Sequence, residues 1–107
     1  MSKRRTHLQM EGIDFSILEH SFPARVAAYN LKARKVAIVF GNTIHLYGAT
    51  TKEFLENTAW VKHELCHIRQ YRQYGYWGFI ARYLYESLRS GYYNNRFEVE
   101  ARAAEHL

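Results

Sequence analysis

The sequence predicts an α+β domain in which a small antiparallel sheet packs on one long helix, with further helices after it. Three observations carry that expectation. Lys35–Phe40 and Thr43–Tyr47 are β-rich runs separated by Gly41-Asn42, the pattern of a hairpin with a two-residue turn. Thr50 with Glu53 three residues on forms a capping box, and apolar residues then recur at helical spacing as far as Tyr74. Beyond Gly75 come two more segments of helical period, with Gly91 and Asn95 between them.

A chain of 107 residues suits one domain, read here as residues 1–107 with a single modest core. At 48% hydrophobic and 23% charged residues it has the profile of a folded domain and not of a disordered one. Aromatics reach 16%, so large rings must supply much of the interior. No apolar run is long enough to span a bilayer, and the basic start is followed by no apolar stretch. A cytoplasmic protein without a membrane partner is therefore expected. The lone cysteine, Cys66, excludes an internal disulfide and fits a reducing compartment. A net charge of +5 and a pI near 9.5 raise the question of acidic partners such as nucleic acid. The basic residues are scattered, however, which reads first as surface solubilisation.

In chain order, Met1 to about Gly12 reads as a loose polar arm, and Ile13–Ile17 alternates as a short strand. Ser21 is the N-cap of a helix that has Pro23 in its first turn and runs to Leu31. The hairpin follows, closed by Gly48. The long helix should run from about Thr51 to Tyr74 and stop at Gly75. It carries two stripes: Phe54, Thr58, Val61, Leu65 and Ile68 for the core, and Trp60, His63, His67 and Tyr71 about 200° away round the helix. Aromatics flanking histidines suggest a walled cleft. Trp77–Ser90 reads as a third helix, with Trp77, Ile80, Leu84 and Leu88 on one face and Arg82, Glu86 and Arg89 on the other. A last helix begins at Arg96, with Asn95 and Glu98 as a capping-box-like start and Phe97, Ala101 and Ala104 as its packing face.

The most specific chemical statement is His63-Glu64-Leu65-Cys66-His67, or His-Glu-x-x-His. On a helix the two histidines leave one face a single turn apart, so both imidazoles can grip one Zn²⁺ at roughly 2.0–2.1 Å. Glu64 can then reach a water on the metal and serve as its general base. A catalytic zinc site usually takes three protein ligands, and the last helix offers Glu98 and Glu100. Cys66 lies on the helix flank and reads as a small buried hydrophobe.

His63–His67 followed by Glu-x-x-Ala at Glu98–Ala101 resembles the gluzincin branch of zinc metallopeptidases, and most closely its small bacterial single-module domains. The resemblance spans the chain from the hairpin to the last helix. It implies a zincin-like fold and makes Glu98 the third ligand, with Glu100 as the fallback. Gluzincins often place an aspartate four residues after that ligand. Here the position holds Arg102, which cannot accept an N–H from a ligand histidine. The family also implies an edge strand that receives an extended substrate, which would be Thr43–Tyr47, with His45 near the cleft. A tyrosine or histidine often stabilises the oxyanion in gluzincins. No motif selects one among Tyr71, Tyr83, Tyr85, Tyr92 and Tyr93.

The expected function is that of a zinc-dependent metallopeptidase acting on a peptide or protein substrate. The alternative is a catalytically idle zincin-fold domain that serves as a nucleic-acid-binding or protein-adaptor module. Arginines and tyrosines interleave from Arg69 to Arg96 as in a stacking platform for single strands. Arg82, Glu86 and Arg89 are nevertheless ordinary helical charge partners on a solvated face.

Overall fold

The computed structural model describes residues 5–107. Four strands and five helices follow one another as β1 (Arg5–Met10), β2 (Ile13–Leu18), α1 (Phe22–Leu31), β3 (Val36–Phe40), β4 (Thr43–Tyr47), α2 (Thr51–Glu56), α3 (Thr58–Tyr74), α4 (Tyr76–Asn94) and α5 (Arg96–Ala104). The class is α+β, but the sheet is mixed and not simply antiparallel. Its order is β1-β2-β4-β3, with β2 and β4 parallel and the other two pairs antiparallel.

The N-terminal arm expected over residues 1–12 is largely a strand. Residues 5–10 pair with β2 through a tight turn at Glu11 and Gly12, both at positive φ. Residues 1–4 of that arm lie outside the described residues. As an outer strand, β1 buries none of its side chains fully, so it needs none of the apolar alternation by which strands are found.

The hairpin forms as expected, with Phe40 opposite Thr43 across Gly41-Asn42. Side-chain alternation gives its sheet two working faces. Val39, Ile44 and Leu46 join Phe54, Val61, Leu65 and Ile68 in the main core. Val36, with Ile38 and Tyr47 beside it, packs on Ala24 and Ala28 of α1. Two expectations are corrected here. β4 is not an edge strand, because β2 and β3 flank it, and the outer strands are β1 and, on the hairpin side, β3. His45 shares the α1 face with its cross-strand partner Ile38, and its Nδ1 is hydrogen-bonded to Ser21 Oγ at 2.7 Å. Ser21 is the N-cap of α1, so His45 braces a helix start on the sheet face opposite α3.

The long helix is broken. Thr50 and Glu53 make the expected capping box for α2, but Asn57 leaves helical geometry and caps α3 by accepting from Trp60 N at 3.1 Å. Thr58 is consequently exposed, whereas Phe54, Val61, Leu65 and Ile68 are buried as the core stripe requires. α3 stops at Gly75, as expected. In α4 the helical path runs to Ser90 and is interrupted at Gly91 (φ 81°). Of its expected apolar stripe only Ile80 packs, partly buried against the main core. Phe79 and Glu86 are buried, while Trp77, Leu84 and Leu88 are exposed. Asn95 starts α5: its Oδ1 accepts from Phe97 N, and its Nδ2 donates to Tyr83 O and Ser87 Oγ. Phe97, Ala101 and Ala104 pack inward, as expected.

At Gly48 (φ 81°) a Cβ would stand 1.9 Å from the carbonyl oxygen of Arg34, whereas at Gly12 (φ 76°) it would meet nothing within 4 Å. Gly12→Ala should therefore cost only the left-handed backbone penalty, about 1–2 kcal/mol. Gly48→Ala adds a clash with backbone and should lose at least about 3 kcal/mol by urea titration. Equal losses would show that Arg34 yields freely.

Candidate metal centre

Three side chains from two helices meet at one point. α3 places His63 and His67 a turn apart, with ring centroids separated by 5.0 Å, and α5 brings up Glu98. Glu98 Oε1 lies 3.1 Å from His63 Nε2 and 3.3 Å from His67 Nε2. Ligand atoms of all three fall within 4.8 Å of one another. Tetrahedral zinc with bonds of about 2.0–2.1 Å separates neighbouring donors by roughly 3.3 Å, so the spacing fits that ion.

The outer ring nitrogens decide which way the imidazoles face. His63 Nδ1 is 2.7 Å from Glu105 Oε2, and His67 Nδ1 is 2.8 Å from Gln70 Oε1. A carboxylate oxygen and an amide oxygen only accept. The Gln70 amide is oriented by its own nitrogen, which donates to Phe97 O and Glu100 Oε1. Each Nδ1 therefore carries the proton, and in a neutral ring each Nε2 turns its lone pair on the Glu98 carboxylate. Tyr83 donates its hydroxyl to Glu98 Oε2 at 2.5 Å, which leaves Oε1 for the two rings. Three acceptors facing one point repel unless positive charge lies among them, either as added ring protons or as a cation.

The protonation chemistry of the protein groups alone reflects this demand for charge. Burial disfavours the His63 imidazolium, but the bond to Glu98, the charge of Glu64 and the bond to Glu105 outweigh it and lift the ring to about 9. His67 is also raised, because the bond to Glu98 and the charge of Glu64 outweigh its burial. Burial would raise Glu98, yet the bonds from His63, His67 and Tyr83 hold it well below the usual carboxylate range. Glu64 is pushed up to about 7 by burial, against the pull of His67 and His63.

The centre opens into a cavity of about 270 Å³. His63, Glu64, His67 and Glu98 stand at one side of it, residues 36–40 of β3 at another, and Phe79, Tyr83 and Tyr92 close it. Tyr71 ties the two walls together by donating to Val39 O at 3.1 Å. The aromatic cleft expected around the histidine stripe is thus present. Glu100, the fallback ligand, is exposed and turns to Gln70 and Cys66 instead. Cys66 is buried outside the cluster, beside Ala101 and Ala104, with its thiol pushed up to about 12 by burial first and by Glu100 next. Arg102 faces Tyr93, stacking 4.1 Å from its ring centroid. Glu98 also departs from its expected helix-start role, since its carboxylate serves the histidines.

Sequence reasoning missed Glu105 and Gln70, and it left Tyr83 as one of five tyrosines considered for an oxyanion and not as a partner of Glu98. The first two had a signal. Glu105 follows Glu98 by seven residues, two helical turns along the same face, and Gln70 follows His67 by three. Tyr83 had none, because only the packing of α4 on α5 brings it to Glu98. The chain matches no family model, no curated protein and no solved structure.

A folded value near 9 for His63, above its ordinary 6.5, stabilises the metal-free protein most below pH 6.5. That contribution is lost as pH rises from 6.5 through about 9. In excess chelator the melting temperature should fall across this window. With zinc supplied, binding requires neutral rings and should strengthen over the same range. A chelated protein whose melting temperature rises instead would contradict the protonation assigned to the centre.

Proposed function

We propose that this chain is a zinc-dependent peptidase with a minimal zincin-like domain, in which His63, His67 and Glu98 hold the ion and Glu64 is the general base. The observation that carries the reading is the convergence of two Nε2 lone pairs and one carboxylate oxygen on a common point, with both Nδ1 atoms already committed to acceptors. Nitrogen and oxygen donors of this kind suit zinc. When bound, the ion would polarise a substrate carbonyl and acidify the attacking water.

The protein groups supply the rest. Burial lifts the Glu64 carboxyl in the metal-free centre, and a bound cation would favour its carboxylate form, the form a general base needs. Glu64 removes a proton from the attacking water and hands it to the nitrogen of the leaving amine, so the C–N bond breaks with a neutral leaving group. Glu105 and Gln70 orient the rings, and Tyr83 keeps Glu98 turned towards them. The open edge of β3 borders the same cavity, so an extended peptide can add to it as a further strand. The apolar walls favour apolar side chains on that peptide.

Glu64→Gln should retain zinc and lose peptide hydrolysis by about 10²–10⁴-fold, whereas His63→Ala should lose both. The checks are metal analysis and cleavage of a mixed peptide library. Hydrolysis by Glu64→Gln at the parent rate would refute the mechanism. A parent that binds zinc yet cleaves nothing would leave the idle-module reading in its place. Glu105→Ala and Gln70→Leu should each weaken zinc binding by about 10–100-fold in competition with a chelating dye. Glu100→Ala should weaken it less than either, and a larger loss would make Glu100 the ligand.

A further inference from the structure

The stretch Tyr76–Ser90 of α4 turns Phe79 and Glu86 inward, packs Ile80 partly against the core and leaves Trp77, Leu84 and Leu88 in solvent. Trp77, Leu84 and Leu88 succeed one another along one side of the helix and are 76%, 58% and 90% exposed. Tyr85 beside them is exposed as well. Trp77 and Leu88 stand out from the surface, while Leu84 also borders the cavity beside the histidines. Next to the stripe, Arg82, Arg89 and Arg96 share a shallow depression with Tyr85 and Glu86. Glu86 is 3.5 Å from Arg89 and 3.8 Å from Arg96, and Arg82 lines the same depression, so three arginines to one carboxylate leave the patch positive.

We propose that this face of α4 docks the protein on an anionic lipid surface, with Trp77, Leu84 and Leu88 entering the headgroup boundary and Arg82, Arg89 and Arg96 meeting lipid phosphates. Protruding leucines and an indole flanked by arginines are the chemistry of a helix that lies in the plane of an interface. Charge complementarity selects lipid over the other candidates. A second copy meeting this face about a two-fold axis would bring arginines against arginines. A nucleic acid would satisfy the arginines but would leave the protruding leucines and the indole without an apolar partner. A bilayer surface meets both demands, and it needs no shape complementarity for knobs that protrude. Among the described residues no helix is long and apolar enough to cross a membrane, and a helix that rests on the surface needs no such length. The apolar surface also continues towards the cleft. Leu84 and the exposed Leu31 of α1 both line the cavity that holds Glu64, so docking would set the mouth of that cavity at the lipid boundary.

The inference stands independently of the metal reading, since no residue of the centre takes part in it. The test is co-sedimentation of the full chain with vesicles of phosphatidylcholine alone or with one third phosphatidylglycerol. Binding should be at least tenfold stronger to the anionic vesicles and should fall steeply with salt. Tryptophan emission should shift to the blue on binding. Trp77→Ala with Leu88→Glu, both outside the core, should cut binding by tenfold or more with an unchanged circular dichroism spectrum. Arg82→Gln with Arg89→Gln should remove the preference for anionic lipid. Failure of the parent to bind either vesicle, or equal binding to both, would overturn the proposal. So would a concentration-dependent dimer that Leu88→Glu disperses, or salt-dependent RNA binding without lipid binding.

Discussion

One carboxylate oxygen organises the functional half of this molecule. Glu98 Oε1 stands within 3.3 Å of two imidazole nitrogens whose opposite sides are already bonded to acceptors. Buried acceptors do not gather without a source of positive charge, because each has left water behind and gained repulsion in return. The centre is therefore an electrostatic demand built into the packing of α3 on α5. Everything nearby either holds that arrangement or opens it to a cleft.

The holding is done by ordinary means. Cys66, Ala101 and Ala104 are small, so α3 and α5 approach closely enough for Glu98 to reach both rings. Asn95 is fully buried and joins three backbone or hydroxyl partners, which pins the start of α5 to α4 and leaves Glu98 one turn along it. Gln70 connects His67 to Phe97 O, so the orientation of a ring on one helix depends on the backbone of another. On the cleft side, Tyr71 ties α3 to β3 through Val39 O and fixes the distance between the histidine helix and the open sheet edge. The thiol at Cys66 and the carboxylate at Glu100 complete the Gln70 network and stand apart from the cluster.

Features that rest on local rules were legible. The Gly41-Asn42 hairpin, the Thr50–Glu53 capping box, the stops at Gly75 and Gly91, and the caps at Ser21 and Asn95 all follow from residues close in sequence. So does the core stripe of Val61, Leu65 and Ile68. What failed shows the limits of those rules. β1 escaped notice because an outer strand pairs through backbone and buries little. The break at Asn57 was hidden because helical spacing of apolar residues persists across it, although its side chain is a good cap. The stripe on α4 misled because amphipathicity identifies an apolar face without saying what covers it.

By itself the sequence determined the class of the fold, the single-turn spacing of His63 and His67, and the presence of a later helix able to offer a carboxylate. Each of these depends on residues within a few turns of one another, where backbone geometry converts spacing into position. Only the tertiary structure decided between Glu98 and Glu100, since both leave the same short helix and its rotation against α3 sends one to the rings and the other to Gln70. It likewise chose β3 over β4 as the open edge and carried His45 to the far face. Pairing between distant strands and packing between distant helices are set by the whole core, which no local pattern encodes.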